Sequence, residues 1–220
     1  MLILNPGKRA IILKMKLIKI LLLVSLISTI VIYLFPRTWE LDLIAHLQEN
    51  RTGTTVGFFQ FISDAKVKSA VSVGIPVLLI LFSFIKSKRI LREKAILVLF
   101  SLAVAGIFSY GIKKMVREPR PYEVDSRITQ LGEGGGYGFP SGHVLEATAA
   151  ATAFSILWPE WSIIIASISW VLLTMMSRIY LGVHDPGDVM GGLFLGMLSF
   201  LMVKKIREYV IRPKPNASTQ

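Results

Sequence analysis

Predominantly apolar residues gather into six stretches, approximately 17 to 35, 69 to 85, 95 to 112, 143 to 158, 161 to 177 and 189 to 203. Runs of roughly 15 to 20 such residues match the helix length needed to cross a hydrocarbon layer about 30 Å thick. The pattern predicts an all-α protein: a six-transmembrane-helix bundle. Trp158 and Trp161 bracket Pro159-Glu160, so the fourth and fifth helices are expected to form a tight hairpin at headgroup depth.

Between these stretches the pattern changes. Leu41, Ile44 and Leu47, then Val56, Phe59 and Ile62, recur near helical spacing, which predicts two short interfacial helices in the first outer loop. They read as a membrane-lying cap, with substrate gating as the other reading. Residues 122 to 139 are polar and carry Gly132, Gly134, Gly135, Gly136 and Gly138, a composition suited to a lid. The chain therefore divides into a basic N-terminus and first helix (1–35), an outer interfacial segment (36–68), a five-helix membrane core (69–203) and a basic tail (204–220). The tail after Pro213 reads as disordered.

Composition agrees with a membrane protein. Of 220 residues, 53% are hydrophobic and mean hydropathy is +0.59. Cysteine is absent, which excludes disulfides, thiolate zinc sites and cysteine nucleophiles. The net charge of +11 would suggest nucleic acid in a soluble protein, but the cations stand in blocks between apolar runs and report topology, so no nucleic-acid partner is expected. The N-terminus, loop 86–94 and the tail after Val203 hold 15 of the 25 Lys and Arg residues. By the positive-inside rule both termini are cytoplasmic. The first apolar run follows Lys14, Lys16 and Lys19 and ends in Phe35-Pro36-Arg37 without a cleavage pattern, so it reads as a retained signal anchor; Met15 is an alternative start.

On the outer side three clusters stand at predicted helix ends: Lys113 with Arg120-Pro121, Pro140-Ser141-Gly142-His143, and Ser177-Arg178 with His184 and Asp188. Lys113, Arg120 and Arg178 are fixed cations for a phosphate, arginine as a planar fork and lysine as a point charge. Ser141 reads as the N-cap of a membrane helix whose free amides face an anion, and Gly142 permits close backbone approach. Asp185-Pro186 repeats this arrangement at the last helix. Asp188, four residues after His184, can accept a hydrogen bond from one ring nitrogen and leave the other to attack phosphorus, so His184 is the expected nucleophile and Asp188 its orienting partner. His143, at a helix start beside the anion, is the expected general acid, and a bell-shaped pH dependence follows.

The spacings Lys-x6-Arg-Pro, Pro-Ser-Gly-His and Ser-Arg-x5-His-x3-Asp resemble the signature of the type 2 phosphatidic acid phosphatase superfamily, over roughly residues 66 to 203. The resemblance implies a phosphohistidine on His184, orientation by Asp188, leaving-group protonation by His143, and phosphate held by Lys113, Arg120, Ser141, Gly142 and Arg178. It implies no metal and no other cofactor. The expected protein is an enzyme of the bacterial inner or plasma membrane that hydrolyses the terminal phosphate of a membrane lipid phosphate or pyrophosphate, of the phosphatidic acid, phosphatidylglycerol phosphate, polyprenyl pyrophosphate or lipid A class. Lipid-to-lipid phosphotransfer is the alternative at the same site. A Ser141–His184–Asp188 triad leaves the three cations unexplained, and a transporter would place charge near the bilayer centre. Glu146, one turn inside from His143, reads as a solvated interfacial carboxylate, with tuning of His143 as the other reading. His46 reads as a packing or interfacial residue, and Arg127 carries no role.

Overall fold

Each long apolar stretch forms α-helix in the computed structural model, because a lipid-facing backbone must satisfy its own polar groups. The structure describes residues 6–211, with side chains over 16–210. The side chains of Lys8, Arg9, Lys14 and Met15, and the tail with Arg212 and Lys214, lie outside the described residues. The elements in order are α1 (Pro6–Leu34), α2 (Thr38–Glu49), α3 (Gly53–Ser63), α4 (Ala65–Ser69), a π-helical turn (Ala70–Gly74), α5 (Ile75–Ile85), α6 (Arg89–Val116), α7 (Pro121–Val124), α8 (Gly142–Leu157), α9 (Trp161–Tyr180) and α10 (Pro186–Ile211). The regular elements among the described residues are all helical, without a strand.

Of the six expected spans, five have a counterpart of spanning length. Among the described residues, five helical runs are long and apolar enough to cross a membrane: Lys16–Leu34, Gly53–Ile85, Arg89–Val124, Trp161–Tyr180 and Pro186–Val210. At 16 residues α8 is about 24 Å long, short of the hydrocarbon thickness. It is also the most enclosed helix, packed between α6, α9 and α10. The second run starts at Gly53, not near residue 69. Asp64 ends α3 and caps α4 by accepting from Lys66 N–H and Val67 N–H (2.8 and 3.0 Å), and the π-helical turn precedes Pro76, which lacks a backbone donor.

Small residues explain how α8 is enclosed. Ala147, Ala149 and Ala153 are fully buried, and Gly192 and Gly196 of α10 face the α8 backbone at Ser141, Leu145 and Ala149. A Cβ on Gly196 would lie 2.5 Å from the Leu145 carbonyl oxygen and 3.0 Å from the Ala149 nitrogen, so these backbones meet as small-residue helix pairs do in membranes. Val98 of α6 and Phe200 of α10 close the core around Ala150 and Ala153. Large apolar side chains point outward instead, among them Leu78, Leu81 and Ile85 on α5 and Ile165 and Leu172 on α9. Lys94, at the start of α6, donates to the Leu157 carbonyl at 2.5 Å and covers the Trp158 ring, closing the α8–α9 hairpin. A cation at a helix C-terminus meets its unpaired carbonyls and its dipole. His46 is solvent-exposed and paired with Glu49 at 3.1 Å, so it does not pack.

Candidate active site

The ends of α6, α8, α9 and α10 that carry the three clusters converge. Lys113 lies in the last turn of α6, which Arg117 ends in a left-handed conformation (φ 53°). Arg120 occupies the extended residue before α7, and Arg178 the last turn of α9. The chain then turns sharply at Gly182 (φ 71°), where a Cβ would meet the Thr129 carbonyl at 2.7 Å, and this turn delivers His184 to the start of α10. The His184 Nδ1 to Asp188 Oδ2 distance is 2.8 Å, and both side chains are buried. Asp185 is the expected N-cap, its Oδ1 accepting from Asp188 N–H at 2.9 Å. Ser141 N–H donates to the Asp188 carbonyl at 3.0 Å and ties the start of α8 to α10. Ser141 holds the N-cap position, but its hydroxyl makes no capping bond, contrary to the expectation; Oγ is buried and without a partner.

The glycine-rich segment has a role that its side chains do not announce. Its backbone carbonyls hold all three cations. Lys113 Nζ donates to Tyr137 and Gly138 (2.6 and 2.7 Å). Arg120 donates from Nη2 to Gly135 (2.8 Å) and from Nε to Gly136 (3.0 Å), and its Nη1 donates to the Val183 carbonyl (2.7 Å), 3.4 Å from His184 Nε2. Arg178 Nη2 donates to Glu133 (2.7 Å). A Cβ on Gly138 would stand 3.1 Å from Asp188 Oδ2, so the backbone passes close to the carboxylate that holds His184. Gln48 of α2, also buried, fastens the segment by donating to the Thr129 and Tyr180 carbonyls (3.0 Å each) and accepting from Thr129 N–H.

The polar atoms that this collar leaves unpaired are informative. Among the described residues, Arg178 Nε and Nη1, His143 Nε2, Ser141 Oγ and Asp188 Oδ1 are buried without a hydrogen-bond partner. Buried donors without acceptors are costly, and Arg178 and Ser141, joined by His143 when its ring is protonated, form a donor set suited to phosphate oxygens. Ser141 Oγ has no bond to a histidine, which a serine nucleophile requires of its base. Beside the site a cavity of about 390 Å³ is lined by Gln60, Ser63, Asp64, Leu181 and the 130–133 segment.

Burial and the neighbouring Arg178, Arg120 and Lys113 hold the His184 imidazole well below its ordinary pKa of 6.5. The ring is therefore neutral, with Nδ1–H donating to Asp188 and a lone pair on Nε2. Nitrogen-15 NMR of the detergent-solubilised protein, which has three histidines, is expected to show His184 titrating below pH 6.5. A midpoint at or above 6.5 contradicts this electrostatic arrangement.

A second polar layer, which leaves no local pattern in the sequence, lies beside the first. Arg37, just before α2, pairs with Asp185 at 2.7 Å and Glu118 at 3.5 Å and donates to the Pro119 carbonyl. Tyr33 donates to Glu118 at 2.8 Å, and Glu40 accepts from Gly187 N–H at 2.7 Å, a cap for α10 supplied by α2. Burial, then the Asp188 charge, pushes Asp185 up to about 6; burial, then Asp185, pushes Glu40 up to about 7. Single oxygens of Glu118, Asp185 and Asp188 lie within 4.8 Å of one another, close enough to hold an ion, and Arg37 is the cation paired with two of them. Arg127 also gains a place, bridging Asp125 and Asp42 at the surface. Glu146 pairs with Lys68 at 2.7 Å and is not simply solvated.

The chain matches the PAP2 superfamily over residues 94–212. It is 30% identical to an undecaprenyl-diphosphatase of Sulfolobus acidocaldarius over 191 residues, 84% of this chain and 89% of that protein. It is 35% identical to phosphatidylglycerophosphatase B of Bacillus subtilis over 86 residues, covering 34% of this chain and 42% of that one. The fold is similar to the crystal structure of a transmembrane PAP2 type phosphatidylglycerolphosphate phosphatase from Bacillus subtilis (TM-score 0.69, 22% identity, 90% of this chain and 98% of that one). It is also similar to Aquifex aeolicus LpxE (TM-score 0.63, 24% identity, 76% and 95%). With its long apolar helices, the chain is an integral membrane protein that belongs to the PAP2 superfamily, a hydrolase acting on phosphate esters or pyrophosphate.

Proposed function

We propose that the protein removes the terminal phosphate of a lipid pyrophosphate or lipid phosphate through a covalent phosphohistidine, without a metal. The observation that carries this reading is the buried His184–Asp188 contact of 2.8 Å, with Nε2 beside Arg120 and three cations around it. The Nε2 lone pair of His184 attacks phosphorus, and the P–O bond to the leaving oxygen breaks with its electron pair passing to that oxygen. His143 gives that oxygen a proton. The imidazolium formed on His184 is stabilised by Asp188, while Lys113, Arg120, Arg178, Ser141 and the Gly142 amide hold the phosphoryl oxygens. Water then attacks the phosphohistidine and gives a proton to His143. The P–N bond breaks, its pair returns to Nε2, and inorganic phosphate leaves.

Placement in the membrane follows from charge. Helix α8 crosses with the five longer runs, small residues and Lys94 making up for its length. The basic termini and loop 86–94 stay in the cytoplasm, and the site opens at the outer leaflet of the plasma membrane. A relative matched over most of both chains is an undecaprenyl-diphosphatase, which favours a polyprenyl diphosphate over phosphatidic acid, phosphatidylglycerol phosphate or lipid A. Purified protein in detergent with excess chelator is expected to release phosphate from this four-lipid panel, fastest from the diphosphate. A strict need for divalent ions overturns the metal-free mechanism, and inactivity on all four overturns the reading.

A further inference from the structure

The proposed reaction has two sides, and the cations so far described serve only one. Lys113, Arg120 and Arg178 surround the phosphate that is transferred. The leaving group lies on the other side, with His143. What it requires depends on the substrate. An alcohol leaving from a monoester needs only a proton, whereas a lipid monophosphate leaving from a diphosphate carries negative charge of its own.

One further cation stands on that side. Lys68 of α4 forms a 2.7 Å ion pair with Glu146, the residue one turn below His143 on α8. Both side chains are half-buried, 19% and 23% exposed. The Ser63 backbone accepts a hydrogen bond from the His143 ring, and the Lys68 charge is near enough to disfavour protonation of that ring. The position of α4 is fixed from two directions: by the Asp64 cap, and by a 2.8 Å bond from Ser63 Oγ to Ser177 Oγ, beside Arg178. A lysine held by one carboxylate retains free ammonium protons.

Below this pair the surface becomes apolar. Val71 and Ile75 follow Lys68 down one wall, Ala150 and Phe154 follow Glu146 down the other, and Trp170 of α9 completes a groove of about 490 Å³. A charged head directly above an apolar groove matches a lipid monophosphate, with its phosphate at Lys68 and its hydrocarbon chain between α5, α8 and α9.

We propose that Lys68, held by Glu146, binds the non-transferred phosphate of a lipid diphosphate and makes the enzyme selective for diphosphates over monoesters. This rests on the phosphatase reading above. The step remains balanced: the bridging oxygen leaves with its electron pair as part of the lipid monophosphate, its charge shared between the His143 proton and Lys68. Glu146 is a positioning residue that acts through Lys68.

The test compares kcat/KM for geranylgeranyl diphosphate and for phosphatidic acid in the unsubstituted enzyme, Lys68→Met, Lys68→Arg and Glu146→Gln. In Lys68→Met the diphosphate-to-monoester ratio is expected to fall by about tenfold or more, the scale of a lost charge-assisted bond, and in Lys68→Arg to recover at least half of that loss. Glu146→Gln is expected to lower the ratio less. An unchanged ratio in Lys68→Met, whether both activities hold or both fall together, overturns the inference, as does an unsubstituted enzyme that turns over only the monoester. Failure of the unsubstituted enzyme on both lipids counts instead against the phosphatase reading.

Discussion

His184→Ala is expected to lower phosphate release by at least about 10⁴-fold and to leave no covalent phosphoenzyme, because no other group can take over the attack on phosphorus. The loss should appear in kcat for every substrate tested. His143→Ala behaves differently. It still forms phosphoenzyme from p-nitrophenyl phosphate, whose leaving group departs without protonation, and is defective with lipid substrates. Rapid-quench kinetics on the two variants separates them. Full turnover by His184→Ala, or equal phosphoenzyme in both variants, is incompatible with the assigned roles.

Arg178→Ala is expected to have the next largest effect, a loss of about 10² to 10³ in kcat, the usual scale for removing one preorganised donor from a transition state. Its buried Nε and Nη1 have no protein partner, while Nη2 is held by the Glu133 carbonyl. The side chain is therefore anchored at one nitrogen and leaves two for the substrate. Arg178→Lys should recover less than a tenth of the lost activity, since a point charge cannot both keep the Glu133 bond and present a fork. A monodisperse detergent elution profile checks that the variant folds. Near-normal activity of Arg178→Lys would place the phosphate elsewhere.

The order of these effects mirrors what was visible in the chain. Helix ends rich in Lys, Arg, His and Asp stand out against apolar runs, so His184, Asp188, Lys113, Arg120 and Arg178 could be picked by residue type and spacing. Backbone groups have no such mark. The five loop carbonyls that hold the cations were visible only as a run of glycines, whose reading as a lid missed that Gly135, Gly136 and Gly138 put their backbones against charged side chains. Contacts between distant parts of the chain were equally silent. Arg37 and Asp185 are 148 positions apart, and Glu40 and Gly187 147, so neither pair produces a local pattern.

The membrane pattern shows the same division. Length and hydropathy identify helices whose faces meet lipid, and these were found. Helix α8 meets mostly protein, so alanine replaces many of the large apolar residues, and its 16 positions fall short of the length that marks a lipid-facing span. Before α5 the periodicity at Val56, Phe59 and Ile62 marks a helix, α3, but not that α4, the π-helical turn and α5 follow it at once. Ser141 has the position of a cap but not its hydrogen bond. With its hydroxyl unbonded at the helix start, it is available to a phosphate oxygen.

In the proposed reaction the phosphoryl group passes through nitrogen on this chain. Mixing purified protein with polyprenyl diphosphate, quenching in alkali within one turnover, and mapping the modified residue by mass spectrometry tests it directly. A single phosphorylated position, His184, is expected; phosphate on Ser141, or turnover with no covalent adduct at any time, is incompatible with a phosphohistidine route.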